Sequence, residues 1–111
     1  MKVGKMIEEL QKCDLDAVIK MHRVDGDELK MLHSFLGCIA LQTGKEDDAD
    51  PLRAEYTEER FIVYSLLEAL YAYADHVDVV THSLRDGKPV LFVEANEDVP
   101  GIVVLKDGTD S

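Results

Sequence analysis

One feature limits this chain more than any other: it carries a similar pattern twice. The stretch Met6 to Gly26, MIEELQKCDLDAVIKMHRVDG, can be laid over Leu66 to Gly87, LLEALYAYADHVDVVTHSLRDG. At an offset of 60, Ile7 meets Leu67, Glu8 meets Glu68, Leu10 meets Leu70, Ile19 meets Val79 and His22 meets His82. One extra residue then shifts the match to 61, where Asp25-Gly26 meets Asp86-Gly87, Leu29 meets Val90 and Met31 meets Phe92. An offset of 64 brings Gly37, Leu41 and Gly44 onto Gly101, Leu105 and Gly108. Order, polarity and turn signals agree along the whole length, which is the signature of an internal repeat. The expected fold class is α+β: two tandem copies of a helix followed by an antiparallel β-meander, with the helices packed on the sheets.

The elements follow from side-chain periodicity. Met6, Ile7, Leu10 and Cys13 recur at helical spacing, after an opening run suited to a sheet edge. Asp14 and Asp16 end that helix, and Ala17 to Val24 reads as a strand. A three-residue loop Val24 to Gly26 would set Arg23 against Asp27, Met21 against Leu29 and Ile19 against Met31. The segment Leu29 to Gln42 reads as two strands broken near Gly37, by its match to Pro89–Leu105; one helix from about Asp27 to Gln42 is the competing reading, since β-branched residues are scarce. A second helix is expected over about Glu58 to Asp75, capped from Asp50-Pro51 or Thr57 and longer than the first. Strands Val77–Leu84, Val90–Ala95 and Ile102–Lys106 follow, and Pro89 marks an edge or a bulge. The 111 residues suit one domain, with repeat units at about 1–46 and 60–110 joined by an acidic linker over 45–57.

Charge is the other constraint. Residues 1–46 hold 7 basic and 8 acidic side chains, whereas residues 47–111 hold 5 and 15, so nearly all of the net −11 lies in the second part. Such a field repels nucleic acid and anionic membrane and attracts basic surfaces. No direct nucleic-acid binding and no membrane partner are expected, and no apolar run resembles a signal or a span, which predicts a cytoplasmic protein. Cys13 and Cys38 occupy non-equivalent places, form no C-x-x-C pair and read as reduced thiols.

No catalytic residue, cofactor or metal ligand is expected. There is no nucleophile motif or glycine-rich phosphate loop, so the chain does not read as an enzyme. His22 and His82 lack partners at zinc spacing, and the acidic turns lack the closing Glu of a calcium loop. His33 is placed on an apolar strand face and His76 at a helix end.

The opening MKVGKMIEELQKCDLDAVIKMH, through Met1, Lys2, Val3, Ile7, Leu10, Asp16, Ala17 and Ile19 or Val18, resembles a set of uncharacterised small proteins from bacteriophages and prophages of Firmicutes; the hairpin HSLRDGKPVLFVEA, His82 to Ala95, is similar to theirs. Lys5 and Leu15 depart from their pattern, which has Glu and Pro there. The likeness covers about half the chain. It implies a phage origin, with the host cytoplasm as compartment, and brings no active site. Small acidic phage proteins include inhibitors of host defence nucleases, some of them anti-CRISPR proteins, and this chain is similar in size and charge; that step is analogy.

Two functions are therefore expected. The first is a non-enzymatic inhibitor or adaptor that docks on a basic protein surface, such as that of a host nuclease, through Asp47, Asp48, Asp50, Glu94, Glu97 and Asp98. The alternative is a homo-oligomeric module that binds a small ligand, a nucleotide, with His22, Arg23, His82 and Arg85 near a twofold-like axis, or that serves as a structural interaction module. The apolar character around the second helix also predicts a homodimer through Phe61, Tyr64, Tyr71 and Tyr73, unless both sheet units clasp that helix within one chain.

Overall fold

Val3, Met6 and Leu10 share one side of a helical surface and are wholly buried, which fixes α1 over Val3–Gln11. Cys13 N–H donates back to the Leu10 carbonyl at 3.0 Å, and Asp14 Oδ1 accepts from the Asp16 N–H at 3.0 Å, so the aspartates turn the chain out of the helix. The computed structural model describes residues 1–21, 27–35, 37–43, 55–81, 88–95 and 101–107.

The second helix, α2, spans Val63–Leu70, shorter than the expected Glu58–Asp75 and no longer than α1. The chain before it is committed elsewhere. Tyr56–Thr57 form a short strand, so Thr57 caps no helix, and Ile62 pairs with Val18 in an antiparallel bridge. β-Branched and aromatic residues in that approach favour the extended backbone. Ser65 fixes the start of α2: its Oγ accepts from the Ile62 N–H at 2.8 Å and its O–H donates to the Ile62 carbonyl at 2.9 Å. After Leu70 the chain turns as it does after Leu10, with Tyr73 N–H on the Leu70 carbonyl at 3.0 Å.

The strands are β1 (Val18–Met21), β2 (Leu29–Phe35), β3 (Cys38–Thr43), β4 (Tyr56–Thr57), β5 (Val79–Thr81), β6 (Lys88–Ala95) and β7 (Ile102–Asp107). Leu29 to Gln42 is thus two strands, joined through Gly37 at φ 82°. The seven strands form one sheet in the order β1-β7-β6-β5-β3-β2-β4. The sheet is mixed rather than antiparallel throughout: β2·β3, β5·β6 and β6·β7 are antiparallel, while β1·β7 and β3·β5 are parallel. The parallel joins link the first strand of each half to the last strand of the other, a pairing no local hairpin can make. β6 lies between β7 and β5, so Pro89 is not on an edge strand; a register shift follows it between Val90 and Phe92.

The hairpin register differs from the expected one by two residues. Lys20 stands opposite Glu28, and Met21 N–H donates to the Asp27 carbonyl at 2.9 Å. A shift of two keeps every side chain on its face, so Ile19, Met21 and Leu29 are buried in either register. The observed one also sets a basic residue against an acidic one. Through this contact β1 reaches the start of β2, and the strand order curls back on itself.

Several pairings recur at the offsets seen in the sequence. Ile19 is opposite Val103 and Val79 is opposite Ile39; Ile62 bridges Val18 and Lys2 bridges Asp78; Lys20 faces Glu28 and Val80 faces Pro89. The register shift between Leu29 and Met31 has its counterpart between Val90 and Phe92, and Gly101, at φ 89°, matches Gly37. The core gathers Met6, Leu10, Leu66 and Leu70 from the helices with Ile19, Leu32, Ile39, Leu41, Val79, Val103 and Leu105 from the strands. His33, Ala40 and Gln42 are buried as well, although alternation along the strands points Ala40 and Gln42 away from Ile39 and Leu41.

Candidate interaction surface

Of the six carboxylates expected to meet a partner, Glu94 alone falls within the described residues; Asp47, Asp48, Asp50, Glu97 and Asp98 lie outside them. Glu94 is exposed on β6 and is ion-paired to Lys106 Nζ at 3.1 Å, so much of its charge is already met. His22, Arg23, His82 and Arg85, expected near a twofold-like axis, also lie outside the described residues. The proposed acidic linker ends in β4, whose Tyr56 and Thr57 pair with Leu32 and Met31.

The four aromatic residues expected at a dimer interface divide. Phe61 is 1% exposed and belongs to the core of the single chain. Tyr73 is half-buried, packs against that core and donates its hydroxyl to Glu55. Tyr64 and Tyr71 are 53% and 56% exposed, and Leu15, whose carbonyl accepts from the Tyr64 N–H, is 47% exposed. Val63, Leu66, Leu67 and Leu70 are buried within one chain, while Tyr64 on the same helix stays exposed, so the core of the single chain covers one side of α2.

Tyr64 and Glu68 stand four residues apart on α2 and therefore on one face. Their hydrogen bond lifts the Tyr64 hydroxyl above its ordinary pKa. Tyr64 and Glu68, with Phe61 and Ser65 from the same segment, Tyr56 from β4 and Glu58 just after it, line a groove of about 510 Å³. This volume is in the range of ordinary ligand and side-chain pockets. A second groove of about 450 Å³ shares Glu58 and is lined besides by Glu28, Lys30, Glu59 and Arg60, of which Glu28 pairs with both Lys30 and Arg60. There Glu28 Oε2 lies 3.5 Å from Lys30 Nζ and 3.4 Å from Arg60 Nε, and Lys30 also donates to the Glu59 carbonyl.

Tyr56, Glu58, Ser65 and Glu68 were not among the expected site residues, because the groove exists only where β4 lies beside α2. One signal is legible in the sequence: at an offset of 60, Tyr64 and Leu15 stand against Gly4 and Asp75. Among the described residues no three His, Cys, Asp or Glu side chains converge as a metal site would require, and no helix is long and apolar enough to cross a membrane. Burial, then the charge of Glu9, raises the Cys13 thiol pKa. Comparison of the chain with family models, with curated proteins and with solved structures gave no match in any of the three.

Proposed function

We propose that this protein is a small acidic accessory protein of phage type that acts by binding, without chemistry of its own, and that its partner is a basic protein surface. The observation that carries the reading is the surplus of 15 acidic over 5 basic side chains in residues 47–111. A target that handles nucleic acid, such as a host defence nuclease, presents the complementary charge, and an acidic protein competes there with the phosphate backbone. Affinity capture from the native host tests this. A nucleic-acid-binding protein retained at low salt and released at high salt is the expected result, since exposed charge pairs are screened. Capture of no such protein, or capture indifferent to salt, removes the reading.

We infer further that units 1–46 and 60–110 are two copies of one helix-plus-strands element. The recurrence of strand pairings, register shifts and left-handed glycines at offsets of 60, 61 and 64 supports this.

A further inference from the structure

Each half of the chain serves as a control for the other. At one seam Gly4 N–H donates to the Asp75 carbonyl at 3.1 Å; at the matching seam Tyr64 N–H donates to the Leu15 carbonyl at 3.0 Å. The backbone bond is the same and the side chains are not. Gly4 and Asp75 place no large apolar group in water, whereas Tyr64 and Leu15 are about half exposed. The fold closes one seam without an aromatic or a leucine, so folding does not require them at the other. Apolar side chains that the fold does not need, left together at the surface, are the mark of a contact site.

The two helices also differ in charge. On α1, Lys5 and Glu9 are ion-paired at 3.1 Å. Their counterparts on α2 are Ser65 and Ala69, which line the 510 Å³ groove. Where α1 carries this ion pair, α2 carries neither member of it, and the charged residues lining the groove are Glu58 and Glu68. Among the described residues no ion pair involves either carboxylate, and Lys30 and Arg60 next door are engaged with Glu28.

We propose that this groove receives an arginine side chain from a partner protein. A guanidinium stacks on tyrosine faces, here Tyr64 and Tyr56, and its planar fork donates to carboxylates, here Glu58 and Glu68. Lysine, a compact and strongly hydrated cation, meets the rings less well. Leu15, exposed and joined to Tyr64 through the backbone, supplies an apolar neighbour for the footprint. This assignment rests on the reading of the chain as an acidic binder and gives that reading a place.

The test is an amide-proton NMR titration of the full chain with the blocked peptide acetyl-Ala-Arg-Leu-Arg-Ala-amide and with its twin carrying citrulline in place of both arginines. The arginine peptide is expected to shift Tyr56, Tyr64 and Glu68 and to bind about tenfold more tightly than the citrulline peptide, as loss of one charge-assisted contact implies. Tyr64→Ser and Glu68→Gln should each weaken it about tenfold while the chain stays folded by its melting curve. Equal binding of both peptides overturns the proposal. Shifts confined to other carboxylates, such as Glu94, overturn it and leave the acidic-binder reading standing, whereas no binding of the arginine peptide anywhere overturns both. A two-chain mass in light scattering that Tyr64→Ser returns to one chain would assign this face to a second copy and also overturn it.

Discussion

Gln11 and Tyr71 are counterparts sixty residues apart, and they touch: Gln11 Nε2 donates to the Tyr71 hydroxyl at 3.3 Å. A position can meet its own counterpart only close to a twofold axis, so in the two-copy reading the axis passes between the C-terminal ends of α1 and α2. The contact is exposed, and such bonds contribute little. Tyr71→Gln, which places the same residue on both sides, is therefore expected to change stability by no more than about 0.5 kcal/mol in urea unfolding. A loss several times larger would show that the ring packs as part of the core.

The two glycine turns give a sharper comparison. Gly37 and Gly101 adopt φ 82° and 89°, and a Cβ built on either meets nothing within 4 Å. Alanine at these positions is therefore strained by backbone conformation alone, without steric crowding. Gly37→Ala and Gly101→Ala should each cost about 1 kcal/mol. Near-equal losses are expected from matching turns; a neutral substitution at one of them would separate the two turns physically.

Gln42 is the buried residue whose cost is easiest to expose. It is 1% accessible on β3, and neither its Nε2 nor its Oε1 has a hydrogen-bond partner among the described residues. Its counterpart at the offset of 64, Lys106, reaches Glu94 and stays only partly buried, so the polar atom there is satisfied. A buried amide without partners is worth less than an apolar side chain of the same length. Gln42→Met should raise stability by about 1 kcal/mol, measured by denaturant unfolding. A fall of similar size would mean that the amide is bonded after all.

Much of this fold is legible in the sequence alone. The split of Leu29 to Gln42 into two strands came from its match with a more strongly β-prone segment, and the turn glycine was visible at position 37. The hairpin register was not legible to within two residues, because a shift of two preserves the buried face and the apolar pattern alone does not choose. The sequence makes α2 too long because Phe61, Ile62, Tyr71 and Tyr73 are apolar; Phe61 and Tyr73 reach the same core from outside the helix, Ile62 is in extended backbone, and Tyr71 ends the helix more than half exposed. β4 was hidden in a segment read as linker, since two residues carry no periodicity. The parallel joins were hidden because long-range pairing leaves no local trace. At the surface, Tyr64 and Tyr71 stand out in the sequence by residue type and are exposed, while the groove with Tyr56, Glu58 and Glu68 needs the chain around β4 and α2 side by side.

The pair Glu55 and Tyr73 predicts how stability depends on pH at both ends of the scale. Tyr73 donates its hydroxyl to the Glu55 carboxylate, and the Tyr56 ring stands edge-on to Tyr73 with centroids 6.4 Å apart and planes at 67°. That hydrogen bond, then one from Ser34, holds Glu55 below the ordinary carboxyl value of 4.5. Burial, then the bond to Glu55, pushes Tyr73 well above the ordinary tyrosine value of 10.0. A carboxyl whose folded pKa is depressed stabilises the fold above its unfolded pKa, and that stability is lost as pH falls through the folded value, here below 4.5. A phenol whose folded pKa is raised keeps its stability below the unfolded pKa, and loses it as pH rises past 10.0 toward the folded value. Tyr73→Phe removes the donor and the titrating group together. Because Glu55 is exposed and its bond is screened, the expected loss at neutral pH is only about 0.5 kcal/mol. The clearer signature is in the slopes: melting temperatures measured between about pH 3 and pH 11 should fall less steeply at both extremes in Tyr73→Phe than in the parent chain. Parallel profiles for the two proteins would show that the pair does not couple stability to pH.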